Sequence, residues 1–156
     1  MRWLILQKIM FVCTGNICRS AMAEKLLKKK IDEKNLNDKF SIYSSGISAC
    51  SDDRPTYEAV KVMNDEYKVD LSDHRATPII DSKIEEMDLV LCMTRAHKQI
   101  LSSIYPNLKN KIFLIKEYVG LDGDVLDPYG GTLKIYSDCA KELDYYLDLL
   151  LKKEGF

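Results

Sequence analysis

The sequence is short of the features that would place it outside the cell or in a membrane. Its five cysteines are an odd number and include no C-x-x-C pair, so neither a disulfide framework nor a zinc site is indicated. No apolar stretch approaches the roughly 20 residues of a membrane-spanning helix. Residues 1–6 are largely apolar, but they lack a cleavage signal and lead directly into the first predicted strand, unlike a signal peptide. We therefore expect a cytoplasmic protein that does not enter a membrane.

A strong charge of either sign is also missing. With 23 Lys and Arg against 24 Asp and Glu, the formal net charge is −1, which gives no overall attraction to nucleic acids or anionic membranes. We therefore expect neither nucleic acid nor a membrane as a partner. The 156 residues are 46% hydrophobic and 30% charged, which is typical of a globular protein. We predict a single domain over residues 1–156.

Apolar runs alternate with helical patterns along the chain, which predicts an α/β fold. Right-handed crossovers would give a four-stranded parallel sheet flanked by helices, a three-layer sandwich. Ligands of such sheets bind at the carboxyl ends of the strands. Strands are predicted within residues 4–12, 40–43, 87–93 and 111–115, and helices from about residue 20, over 56–67 and 96–105, and after residue 131.

The most informative segment is residues 12–21, Val-Cys-Thr-Gly-Asn-Ile-Cys-Arg-Ser-Ala. Cys13 ends the first strand and Arg19 opens the first helix, so a short loop of backbone N–H groups lies between a thiol and a guanidinium. A loop of this kind before a helix binds tetrahedral oxyanions. The segment predicts a phosphate-binding loop after the first strand, which also contains Thr14, Gly15, Asn16, Ile17, Cys18 and Ser20.

Cys13 is the predicted nucleophile. The loop amides, the helix N-terminus and Arg19 would favour its thiolate form, and Ser20 can donate a hydrogen bond to the sulfur. Arg19 offers a planar fork that matches two phosphate oxygens, and Gly15 allows close approach of the backbone. A bare C-x5-R spacing often arises by chance, with a cysteine that is simply buried. The preceding strand, the following helix, Gly15 and Ser20 together favour the phosphate-binding interpretation.

Hydrolysis of a phosphate ester also requires a proton donor for the leaving group. Asp127 lies in the loop of residues 120–131, which follows the fourth predicted strand, at the same end of the sheet as Cys13. A carboxyl group there can protonate the leaving oxygen and then accept a proton from the water that cleaves the phosphocysteine. By composition alone, the pair Asp127-Pro128 is more typical of an ordinary turn.

Residues 12–20, together with Asp127-Pro128-Tyr129, resemble the low-molecular-weight protein-tyrosine phosphatase family. The resemblance covers essentially the whole chain from residue 8 onward, and its first motif is highly specific. It extends to Ser44-Ser45-Gly46, His74-Arg75-Ala76, residues 87–93 and the final helix.

The resemblance implies Cys13 as the nucleophile, Arg19 as the phosphate clamp and Asp127 as the general acid and base. It implies no metal and no other cofactor, so we expect full activity in the presence of a chelator. The resemblance also implies a reversible disulfide between Cys13 and Cys18 that shields the nucleophile from over-oxidation, although Cys18 is equally explained as a small buried residue. A network that holds the loop open is implied for Asn16, Ser20, Ser44 and His74.

Three positions depart from the family pattern. Ala21 replaces a common proline, Cys50 stands where many members carry a tryptophan that walls the cleft, and Gly130 replaces the second tyrosine of animal members. We therefore expect a more open cleft with Tyr129 as its main aromatic wall. The predicted wall residues are Ile17, Cys50 and Tyr129.

The sequence points to two branches of the family. Residues 93–100, 114–119 and 123–131 resemble the branch that dephosphorylates phosphoarginine in proteins. That branch typically has a threonine at position 17, whose hydroxyl can face a guanidinium, whereas Ile17 offers only apolar surface and leaves a polar group without a partner. Because this position is nearest the chemistry, we expect phosphotyrosine in a phosphorylated protein as the substrate, with phosphoarginine as the alternative.

Two further readings are disfavoured. Thiol-dependent arsenate reductases of this fold relay a disulfide through two additional cysteines. Cys92 lies near the position of the first of these, but no cysteine occurs between Cys92 and Cys139. A catalytically inactive module that only binds phosphoproteins would lack one of the three reacting residues. Cys13, Arg19 and Asp127 are all present.

Overall fold

The computed structural model describes residues 5–156, and residues 1–4, which include the predicted start of the first strand, lie outside the described part. Three short 3-10 turns, Ile79–Asp81, Ile84–Glu86 and Pro106–Lys111, join the longer elements. The strands are β1 Gln7–Cys13, β2 Phe40–Gly46, β3 Leu89–Cys92 and β4 Ile112–Leu114. The helices are α1 Arg19–Glu33, α2 Tyr57–Tyr67, α3 Arg95–Ile104, α4 Ile115–Tyr118 and α5 Leu133–Lys153.

The four strands form one parallel sheet in the order β2-β1-β3-β4. This confirms the predicted four-stranded parallel sheet flanked by helices. Two strands are shorter than expected. Met87 belongs to the turn before β3, where its N–H donates to the carbonyl oxygen of Ile84, and Ile115 already begins α4.

Both faces of the sheet are buried, as expected for parallel strands covered by helices. Side chains of β1 alternate between the two faces because successive residues of a strand point in opposite directions. Ile9 and Phe11 pack against α1, α2 and α5, whereas Met10 and Val12 pack with Leu101 of α3 on the other face. The sheet thus has an apolar core on each side, in three layers.

The register brings the ends of the central strands to one edge. Cys13 at the end of β1 lies beside Gly46 at the end of β2, and Val12 lies beside Cys92 at the end of β3. The loop after β1 therefore emerges between two neighbouring strand ends. Within residues 5–156, no helix is both long enough and apolar enough to cross a membrane.

We expect Gly46→Ala to destabilise the protein. A Cβ atom at this position would lie 2.6 Å from the carbonyl oxygen of Thr14 and 2.9 Å from the amide nitrogen of Asn16, so the loop backbone would have to shift. Such overpacking costs about 1–3 kcal/mol. Urea denaturation measures the loss, with Ser48→Ala, an exposed change two residues away, as the control. If the two variants are equally stable, the loop backbone accommodates the added Cβ atom at no measurable cost in the free energy of unfolding.

Candidate active site

The loop between β1 and α1 contains a tight backbone turn and is fixed by backbone hydrogen bonds from neighbouring segments. It contains Asn16 in the left-handed region, with φ of 56°, which turns the chain back towards the sulfur of Cys13. The helix that follows begins at Arg19 without a side-chain cap, so its first N–H groups remain available for an anion. The carbonyl oxygens of Cys13, Thr14 and Ile17 accept hydrogen bonds from the N–H groups of Ile47, Ser48 and Thr56, at 3.0, 2.9 and 3.1 Å.

Cys13 lies at the base of this loop, and the residue is 1% exposed. Its sulfur is the group that faces the donors of the loop. It is 3.3 Å from the amide nitrogen of Asn16, which donates to it, and 2.9 Å from the hydroxyl oxygen of Ser20. That hydroxyl accepts a hydrogen bond from the Asn16 side-chain amide at 2.8 Å. Its own proton has two acceptors within reach, the sulfur of Cys13 and, farther away at 3.4 Å, the carbonyl oxygen of Ser45. Two donors therefore converge on Cys13, and both stabilise a negative charge on its sulfur.

Asn16 connects the loop to three other segments. Its side-chain nitrogen donates to the hydroxyl oxygens of Ser20 and Ser44, at 2.8 and 2.9 Å, and its side-chain oxygen accepts from the amide of Thr77 at 2.9 Å. The hydroxyl of Ser44 in turn donates to a carboxylate oxygen of Glu24 at 2.5 Å. Both N–H groups and the oxygen of this buried side-chain amide are thus engaged.

His74 supports the same loop from the opposite side. Its Nε2 lies 2.7 Å from the carbonyl oxygen of Asn16, and since a carbonyl only accepts, the ring nitrogen donates. Burial lowers the pKa of His74 below its ordinary value, although the hydrogen bond to Asn16 opposes this. Through this hydrogen bond His74 orients the loop.

The guanidinium of Arg19 is buried beside the nucleophile, with its side chain 4% exposed. One terminal nitrogen donates to the carbonyl oxygen of Val125 at 2.9 Å, and the other lies 3.4 Å from Asp127 Oδ2. Within residues 5–156, its Nε–H has no hydrogen-bond partner. Buried donors are almost always paired, so this N–H fits an acceptor on a ligand, and an oxyanion in the loop would supply one.

Asp127 reaches the cleft from the loop before α5. Its side chain is half exposed, and Oδ1 accepts the amide of Tyr129 at 3.1 Å, which orients the carboxyl group. The loop itself is attached to the sheet by a 2.9 Å hydrogen bond from the amide of Val125 to the carbonyl oxygen of Met93. The carboxyl group therefore combines a fixed position with access to solvent, which suits proton exchange with water.

The structure brings most of the predicted site residues around one cleft of about 180 Å³. Of the three predicted wall residues, Ile17 and Tyr129 border this cleft, whereas Cys50 is exposed and does not. Its carbonyl oxygen accepts a hydrogen bond from the amide of Asp53, in a turn that is joined to Ala76 by backbone hydrogen bonds. The residues that line the cleft are Cys13, Thr14, Gly15, Ile17, Cys18, Arg19, Asp127 and Tyr129.

Cys18 is buried on the wall of the cleft, near Asp127. Burial raises the pKa of its thiol to about 12, and the neighbouring Cys13 adds to this shift. The thiol of Cys18 is therefore protonated at neutral pH, and both cysteines are free. A reversible disulfide between them stays a prediction.

Sequence reasoning missed three groups that shape the site. His97 contacts the Thr14 hydroxyl, with its Nε2 at 2.9 Å from Oγ1, the Val125 carbonyl binds Arg19, and Glu24 accepts from Ser44. Of the three, only His97 had a feature in the sequence that could have revealed it. It follows Thr94 with the spacing of a helix capping box at the start of α3. The others become visible only once distant segments are adjacent.

We expect the free energy of unfolding to fall as the pH drops from 6.5 to 4. Burial, with Arg19 as the second cause, lowers the pKa of His97 from 6.5 to about 4. In that window the unfolded chain binds more protons than the folded one, so stability rises with pH, by up to about 1.4 kcal/mol per pH unit. Urea denaturation of wild type and His97→Gln at several pH values measures this slope. Equal slopes for the two proteins would contradict the assignment to His97.

With the geometry established, comparison with known proteins identifies the family. A model described as low molecular weight phosphotyrosine protein phosphatase matches residues 8–154. The protein-arginine-phosphatase of Bacillus subtilis (strain 168) is 40% identical over 146 residues, 93% of this chain and 95% of that protein. The low molecular weight protein-tyrosine-phosphatase PtpB of Staphylococcus haemolyticus (strain JCSC1435) is 34% identical over 143 residues, 92% of this chain and 96% of that protein.

A solved structure shares both the fold and much of the sequence. The low molecular weight protein tyrosine phosphatase from T. tengcongensis is 44% identical and superposes with a TM-score of 0.88. The match covers 94% of this chain and 99% of that one. The chain therefore belongs to the low molecular weight phosphotyrosine protein phosphatase family, a family of hydrolases.

Proposed function

We propose that this enzyme hydrolyses phosphotyrosine in proteins through a phosphocysteine intermediate. The observation that carries the proposal is the convergence of three groups on one small cleft. The sulfur of Cys13 faces two hydrogen-bond donors, and the buried guanidinium of Arg19 lies 3.4 Å from the carboxyl group of Asp127. A nucleophile, an anion clamp and a proton donor are the parts that cysteine-dependent phosphoryl transfer needs.

In the first step, the Cys13 thiolate attacks phosphorus in line with the leaving group. The S–P bond forms, the P–O bond to the tyrosine breaks, and the protonated carboxyl group of Asp127 gives its proton to the phenolate oxygen. Arg19 and the loop amides stabilise the charge on the equatorial oxygens in the transition state. The unpaired Nε–H of Arg19 supports this role.

In the second step, water cleaves the phosphocysteine. Asp127, now a carboxylate, accepts a proton from the water molecule whose oxygen attacks phosphorus. The S–P bond breaks, inorganic phosphate leaves, and the thiolate of Cys13 is restored with the help of the donors from Asn16 and Ser20. The half-exposed position of Asp127 supports access of this water.

The side chains beside the loop support an aromatic substrate. Ile17 lines the cleft with apolar surface, and Tyr129 stands at its opening, where it is 67% exposed. An aromatic ring buries apolar area between two such groups, whereas a guanidinium would lose hydrogen bonds to water without a partner on Ile17. Phosphotyrosine therefore fits this cleft better than phosphoarginine.

Phosphoarginine is the second candidate. The observation in its favour is the 40% identity with the protein-arginine-phosphatase of Bacillus subtilis, over 93% of this chain. The phosphoryl group of both substrates would occupy the same loop, so the mechanism above applies to either, with nitrogen instead of oxygen as the leaving atom. Which of the two substrates the enzyme prefers therefore depends on the side chains that surround the leaving group.

We also propose that the substrates are phosphorylated proteins of the cytoplasm and that residues 1–156 form one domain. The names of the relatives as protein phosphatases support protein substrates. The cysteine usage supports the compartment, because unpaired thiols persist in a reducing environment. The match of the family model over residues 8–154 supports one domain.

We expect the Asp127→Ala variant to lose more activity on substrates with poor leaving groups than on substrates with good ones. Without the acid, phenyl phosphate must release an unprotonated phenolate, and kcat should fall about 100-fold or more. p-Nitrophenyl phosphate leaves easily without a proton, so its loss should be much smaller. Asp122→Ala, an exposed change in the same loop, is the control. Equal losses on both substrates would argue against Asp127 as the acid.

We expect wild type to have the higher kcat/KM for a phosphotyrosine peptide, and Ile17→Thr to shift the preference towards phosphoarginine by about tenfold or more. The shift is expected because a threonine hydroxyl can pair with the guanidinium. Ile17→Val, which has the shape of threonine without its hydroxyl, is the matched control. Cys13→Ser, which should bind phosphate without turnover, reports contaminating activity.

The same experiment separates the two candidate substrates. A wild-type preference for phosphoarginine would make that substrate the function and overturn our assignment. An unchanged ratio in Ile17→Thr would show that Tyr129 and the shape of the loop, not position 17, select the leaving group.

A further inference from the structure

His97 occupies a fixed orientation at the start of α3. Its Nδ1 lies 3.2 Å from the backbone nitrogen of Thr94, and the Thr94 hydroxyl accepts the N–H of His97 at 3.2 Å, which completes a capping box. A backbone N–H can only donate, so Nδ1 must be the acceptor. In the neutral ring the proton therefore resides on Nε2.

That Nε2 proton points at the phosphate-binding loop. Nε2 is 2.9 Å from Oγ1 of Thr14, the residue next to the nucleophile, and Thr14 borders the cleft. Because Nε2 donates, the Thr14 oxygen accepts, and the hydroxyl keeps its own proton. A hydroxyl that already accepts a hydrogen bond is also a stronger donor.

The direction of this hydrogen bond does not change over the ordinary working range of pH. His97 is 6% exposed, and burial together with Arg19 lowers the pKa of His97 to about 4, against the opposing effect of Asp124 and Asp127. The ring is therefore neutral at pH 5–8. A neutral ring with Nδ1 engaged by the helix cap has only one way to face Thr14.

We infer that His97 is a positioning residue, which acts through Thr14 and holds its hydroxyl as a donor to an oxygen of the phosphoryl group in the loop. The inference rests on the proposed phosphatase function only in that the loop binds a phosphoryl group. Phosphotyrosine and phosphoarginine share this group, so the contribution of Thr14 is the same for both. The choice between the two substrates belongs to Ile17.

The test uses two matched pairs of variants of the full chain. Thr14→Val removes the hydroxyl and keeps the shape, whereas Thr14→Ser keeps the hydroxyl. His97→Leu removes the donor, whereas His97→Gln keeps both functions, since its amide oxygen can accept from Thr94 while its nitrogen donates to Thr14. The readouts are the Kd for inorganic phosphate, measured by calorimetry, and kcat/KM for a phosphotyrosine and a phosphoarginine peptide.

We expect Thr14→Val and His97→Leu each to weaken phosphate binding about tenfold, the effect of one hydrogen bond to a charged group. Thr14→Ser and His97→Gln should stay within about threefold of wild type. The double variant, Thr14→Val with His97→Leu, should lose no more than either single variant, because the two residues act as one unit. For any substrate that wild type turns over, kcat/KM should fall by the same factor.

Independent losses that multiply to about 100-fold in the double variant would overturn the inference, as would a loss confined to one of the two peptides. If His97→Leu does not fold, as judged by circular dichroism, the Thr14 pair decides: wild-type phosphate binding in Thr14→Val would overturn the inference. If wild type turns over neither peptide while phosphate binding responds as expected, the proposed function fails and the role of His97 stands.

Discussion

The hydrogen bonds of Asn16 hold the site together. This residue lies in the middle of the loop with a left-handed backbone, and it joins Ser20 of α1, Ser44 of β2 and Thr77 through its side chain alone. Because a buried amide group that loses a partner costs about 1–3 kcal/mol, each contact helps to exclude other loop conformations. The loop can therefore present its donors to an anion without rearranging when the anion binds, and preorganised donors of this kind lower the barrier to reaction.

The parallel sheet supplies the frame on which this network depends. β1 lies between β2 and β3, so the loop after β1 has a strand end on each side. The absence of a side chain at Gly46 lets the end of β2 approach the loop backbone, and α3, which follows β3, brings His97 against Thr14. The site is assembled from loops that leave the same edge of the sheet, which is the usual location of ligand sites in such folds.

In the proposed mechanism, binding of the phosphoryl group and selection of the leaving group are carried by different parts of the molecule. The loop amides, Cys13 and Arg19 face features common to every phosphorylated substrate. Ile17 and Tyr129 line the same cleft, where the proposal places the rest of the substrate. This division explains how relatives with the same fold bear the names of protein-arginine and protein-tyrosine phosphatases, since a change of wall leaves the reacting groups in place.

The sequence by itself determined the fold class, because the periods of helices and strands are local properties. It also determined the phosphate-binding loop, since Cys13 and Arg19 are only six positions apart and both belong to one strand-loop-helix unit. The family resemblance drawn from residues 12–20 is confirmed by the match over residues 8–154.

The tertiary structure decided the contacts between distant segments. Thr14 and His97 are 83 positions apart, and Arg19 and Val125 are 106 positions apart. No local sequence pattern therefore predicts either contact. Tertiary structure also left Cys50 outside the set of residues that line the cleft, in a turn that is joined to Ala76. Local sequence specifies which groups can react, but the packing of helices and strand ends decides which of them meet, since contacts across long loops form only when the whole core does.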